Sequence, residues 1–127
     1  PGFAAASFEL AANPKLKSNE KGRFIWAPSG DYRTRAEAWR WLRDNFETAR
    51  KIMPKNSPRY LPYFPVSGCR SAIDAEMVAL FEPLLKGPNR VEGMARHLVN
   101  ARQRLERCVV TRARYKNEIK TLLAPYR

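Results

Sequence analysis

One histidine, His97, stands in the 127 residues, and any acid–base or zinc chemistry has to begin with it. Zinc sites take three or four ligands, and a Ser/His/Asp set needs its partners close by. No HExxH surrounds His97 and no second His exists, so the residue reads as structural or surface. Cys69 follows Gly68 near a predicted helix start, a place that lowers a thiol pKa. No base accompanies it, however, and Cys69 and Cys108 form no CxxC pair. Both read as free buried thiols, which fits a reducing compartment and weakly favours a cytoplasmic location. Asp74 and Glu76 fit first-turn helix electrostatics better than acid–base work. No GxGxxG or P-loop occurs. The chain itself therefore supplies no catalytic residue, no metal ligand and no cofactor motif.

The basic residues are the stronger signal. Lys and Arg number 24 against 12 acids, a formal charge of +12. That raises the expectation of an anionic partner: nucleic acid, a membrane surface or an acidic peptide. At 100° per residue, Arg96, Gln103, Arg107 and Arg114 fall on one line of a predicted long helix, with Asn100 beside it. The line lies opposite the apolar positions Met94, Leu98 and Leu105 and runs about 27 Å. It reads either as a solvated helix back or as a surface for a peptide carboxylate or acidic segment. A free-standing basic module binding nucleic acid or an acidic protein is the alternative. Against nucleic acid, no helix-turn-helix spacing, zinc finger or RNP-like strand is present.

"EAWRWLRDNF" (37–46) flanks an arginine with two tryptophans, as a stacking patch would. On a helix, though, Trp39 and Trp41 point about 200° apart. Trp39 shares a 3–4 spacing with Leu42, Phe46, Ala49 and Met53, which predicts one amphipathic helix from the Thr34/Glu37 capping box to Pro54. Trp41 lies off that face and needs a separate partner.

The rest of the chain must place these residues. "FAAASFELAA" (3–12) reads as a helix ended by Asn13-Pro14, with Phe3, Phe8 and Leu10 as its apolar residues. Residues 18–26 predict a short helix capped by Ser18 and stopped before Pro28. Residues 54–68 hold four prolines and three aromatics, an ordered link with one helical turn near Tyr60–Phe64. Ser71 and Asp74 suit the start of a helix through Leu84, ended at Gly87. Asn89 and Glu92 suit the start of the last helix. Its apolar spacing runs from Val91 to Leu122, and only Arg112 interrupts it. No strand and no membrane-length apolar run occurs. The prediction is all-α: five or six helices in antiparallel pairs, a long C-terminal helix, and one domain over 1–127. The chain lacks an initial Met and opens on apolar residues, which reads as the last part of a longer protein.

The order of "RAEAWRWLRDNF", a Pro-rich aromatic link, "FPVSGCRSAIDAEMVALFEPLLKG" and "RVEGMARHLVNARQRLERCVVTRARYKNEIKTLL" resembles the C-terminal helical domain of M1-family zinc aminopeptidases. The likeness extends over residues ~4–123. It is carried by Ala38-Trp39, Asn45-Phe46, the Ser67-Gly68-Cys69 turn and Phe81-Glu82. Gln103, Cys108 and Thr111 stand where members usually have Glu, Asn and Trp. The resemblance implies an armadillo/HEAT-like stack that caps the catalytic domain and shapes which peptides enter and how long they are. It implies zinc in the parent enzyme, held by an HExxH motif in an earlier domain, with a GxMEN motif for the peptide N-terminus. None of those residues is in this chain. The implied partners are the upstream catalytic domain and peptide substrates, with no nucleic acid. Truncation from such a parent would leave an apolar patch near the N-terminal helices.

Overall fold

The computed structural model describes residues 2–126. Among them the chain is helical throughout, with no strand. The α-helices are α1 (Phe3–Ala11), α2 (Ser18–Gly30), α3 (Arg35–Asp44), α4 (Phe46–Ile52), α5 (Ile73–Phe81) and α6 (Met94–Leu123). Short 3-10 turns occupy Pro58–Tyr63, Val66–Gly68, Glu82–Leu84 and Ala124–Tyr126. No described helix is long and apolar enough to cross a membrane.

Helix α1 buries Ala4, Ser7, Phe8 and Ala11, a 3–4 spaced face that lies against α2 and α3. Phe3 and Leu10 stand 63% and 49% exposed on its outer side. Helix α2 does not stop before Pro28; it runs through it to Gly30. Proline frees the carbonyl four residues back, on Phe24. The buried Ser7 hydroxyl donates to that carbonyl at 2.7 Å, so a tertiary contact replaces the lost helical bond. Ser18 is not the cap either: α2 is preceded by Lys17, whose backbone N–H donates to the Glu20 carboxylate.

The single helix expected from Thr34 to Met53 is two. Asn45 adopts φ −126°, ψ 31°, and its side-chain amide donates to the Trp41 carbonyl, separating α3 from α4. The apolar spacing survives the break: Trp39, Leu42, Phe46, Ala49 and Met53 are all buried. Thr34 occupies the N-cap position but forms no capping box. Its hydroxyl donates to the Pro28 carbonyl and ties α3 back to α2. Trp39 and Phe46 each meet Phe81 of α5 at 6.1 Å between ring centroids. Trp41 finds its partner on α1: its ring stacks on Phe8 at 3.7 Å, 9° from parallel.

The Pro-rich link is a packed layer. Leu61, Pro62 and Phe64 are fully or nearly fully buried between α6 and the N-terminal helices, and Phe64 meets Trp26 at 5.3 Å. Helix α5 follows Ala72 without a side-chain cap, so neither Ser71 nor Asp74 fills that role. After Leu84, Gly87 takes φ 83° and Leu84 accepts the Val91 N–H, which turns the chain toward α6. Helix α6 begins at Met94 after Gly93 at φ 80°, later than Asn89 would give.

Met94, Leu98, Ala101 and Leu105 of α6 are buried as the spacing requires. The same stripe then leaves the body: every described residue from Val110 onward is exposed, including Tyr115, Ile119 and Leu122. The helix is about 45 Å long, and nearly half of it, from Val110 to Leu123, stands exposed as an arm. The root of the arm is pinned by a disulfide. Cys69 and Cys108 are bonded, with Cα atoms 5.3 Å apart, and are not the free thiols expected. Their separation of 39 residues hid the pairing, because only the fold brings the link against α6. The thiol argument for a reducing compartment goes with it.

Candidate functional site

Helix α6 positions the predicted polar line. Its buried face fixes the opposite face toward solvent, so Arg96, Gln103, Arg107 and Arg114 are all exposed, and Asn100 is half-buried beside them. Arg114 lies 3.8 Å from Glu118 and over the Tyr115 ring. The ion pairs among the described residues do not include Arg96 or Arg107, which leaves both guanidiniums to solvent.

An aromatic edge borders this line. Tyr60 and Tyr63, three apart in the 3-10 turn, both face His97: ring centroids lie at 4.6 and 5.6 Å, and Tyr63 Oη is 3.3 Å from His97 Nδ1. Arg59 lies over Tyr60 and donates to its hydroxyl at 2.9 Å, while Arg104 lies over Tyr63. Desolvation, followed by the nearby positive charges of Arg59 and Arg96, holds the His97 pKa below its ordinary 6.5. The ring is part of a cationic, aromatic surface.

On the other flank, α5 and α6 bound a groove of about 520 Å3 whose wall includes Ser71, Val99, Gln103 and Glu106. Arg102 clasps Asp74 across it through two bonds of 2.7 and 2.9 Å. The Arg102 hydrogen bond lowers the Asp74 pKa. Glu76 accepts a hydrogen bond from Trp39 Nε1 and pairs with Arg43 at 3.1 Å. Asp74 and Glu76 are therefore first-turn acids with tertiary partners. Gln103 is the one residue shared by line and groove.

Sequence spacing found the line because it lies on one helix. It missed the Tyr60/Tyr63/His97 edge and the Asp74–Arg102 clasp, whose members are 28 or more residues apart. The surface is suited to holding an anion next to an aromatic or apolar group, by charge-assisted bonds and stacking. Among the described residues no group of three His, Cys, Asp or Glu could hold a metal ion. No known protein family, curated protein or solved structure matches the chain.

Proposed function

We propose that this chain is the C-terminal helical domain of an M1-like zinc aminopeptidase, stacked as an armadillo/HEAT-like repeat. It is non-catalytic, caps the catalytic domain and shapes peptide access and length selection. The observation that carries the reading is the pair of uncovered apolar faces: Phe3 and Leu10 on α1, and Tyr115, Ile119 and Leu122 on the α6 arm. Helical-stack units bury one face on each neighbour, and a unit taken from a stack leaves such faces bare. The upstream helices of the parent would cover α1, and its catalytic domain would meet the arm.

In this reading the Arg96/Gln103/Arg107/Arg114 line is the polar inner edge. It attracts the carboxylate end of a peptide by long-range field and charge-assisted bonds. Zinc chemistry belongs wholly to the upstream domain. The test is peptide-length preference in the full-length enzyme. Arg107→Ala/Arg114→Ala should flatten the preference between short and long peptides while leaving hydrolysis of a single-residue reporter unchanged. An unaltered length profile counts against the role of the line. The rival reading, a basic module for nucleic acid, requires micromolar DNA or RNA binding with a steep salt dependence.

A further inference from the structure

A second pocket, of about 310 Å3, opens between α3, the link and the root of the arm. Its wall contains Arg35, Arg70 and Arg112 together with Tyr32, Trp39 and Ile73. Arg112 is the one residue that breaks the apolar spacing of α6, and this is where it goes. Three arginines line a small concavity whose wall carries no carboxylate.

Two acids of neighbouring segments have other partners. Glu76 bonds Trp39 Nε1 and Arg43, and Asp31 is held by a two-bond contact with Arg33. Two carbonyls engage part of the cluster: Arg35 donates to Ser67 and Arg112 donates to Gly68 at 3.2 Å. Neutral acceptors do not balance three positive charges. Arg35 Nε is buried and has no hydrogen-bond partner. A guanidinium offers five N–H donors in a planar fork that fits carboxylate or phosphate oxygens two at a time.

The cluster is also held in place. Cys69 sits between Gly68 and Arg70 in the left-handed region (φ 49°) and is bonded to Cys108, one helical turn before Arg112. The disulfide thus tethers the two segments that carry Arg70 and Arg112. Trp39 is buried, and Tyr32, 79% exposed, stands at the rim. Trp39 and Ile73 give the pocket an apolar wall beside its arginines.

We propose that this pocket binds a small oxyanion, a carboxylate or a phosphate, between Arg35, Arg70 and Arg112. The proposal stands independently of the parent enzyme suggested above. The test uses the chain itself, with its disulfide intact, at constant ionic strength set with chloride. Inorganic phosphate, acetate, and a short peptide with a free or amidated C-terminus are titrated in turn, followed by calorimetry and tryptophan fluorescence. Saturable binding of at least one oxyanion is expected. Phosphate alone marks a phosphate site; acetate and the free-carboxylate peptide, without the amide, mark a carboxylate site. Arg112→Ala and Arg70→Ala, both at exposed positions, should weaken binding at least about tenfold. Arg112→Lys should retain part of it, and Arg23→Ala, exposed on α2 and outside both the pocket and the α6 line, all of it. No saturable response to any probe, or equal loss in Arg23→Ala and Arg112→Ala, would overturn the proposal.

Discussion

His97 shows how surroundings set the behaviour of one residue. It is half-buried between two tyrosines and close to Arg59 and Arg96, and each effect disfavours the charged ring. Its folded pKa lies below the unfolded value of 6.5, so the unfolded chain binds the proton more readily. The stabilising effect of the neutral ring is present above about pH 6.5 and is lost as pH falls toward the lower folded pKa. As the sole histidine, its imidazole resonances identify themselves. An NMR titration should place its midpoint below 6.5, and Arg59→Ala should move it upward. A wild-type midpoint at or above 6.5 contradicts the packing described. Trp41 is a second case: the sequence set it off the Trp39 face, but its stacking on Phe8 depends on α1, 33 residues away.

The helices themselves were legible wherever a local pattern had no competitor. The 3–4 spacing of Trp39, Leu42, Phe46, Ala49 and Met53 predicts burial and burial is found, even across the Asn45 break. Errors arose where a distant residue intervened. Ser7 carried α2 through Pro28, Pro28 drew Thr34 from its capping role, and Arg102 engaged Asp74. The apolar stripe of α6 continues past Leu105 without cover, since spacing reports that a face is apolar and not that anything covers it. The disulfide was invisible for the same reason. It closes a loop across 39 residues and anchors the arm, and chain-entropy reasoning assigns it roughly 4 kcal/mol. Cys69→Ser/Cys108→Ser should lower the denaturant midpoint accordingly and speed tryptic cleavage after Arg112 and Arg114. Equal stability and equal cleavage rates in the double variant would show that the bond does not hold the arm.

At the scale of the whole molecule, two features need a common explanation. A net charge of +12 is spread over a helical body with one continuous core from Ala4 to Leu105. Yet that body leaves apolar faces bare at α1 and on the arm. A cationic module for nucleic acid explains the charge alone. A unit of a helical stack explains the bare faces, and an inner edge that receives peptide carboxylates gives the charge a use. The exposed Phe3 and Leu10 agree with the apolar patch expected near the N-terminal helices. The central claim is that an M1-like catalytic domain precedes this chain. Sequencing the gene upstream of the codon for Pro1 tests it most directly. The account predicts an in-frame HExxH with a more distant Glu, preceded by GxMEN; an initiator Met directly before Pro1, or an unrelated upstream domain, would contradict it.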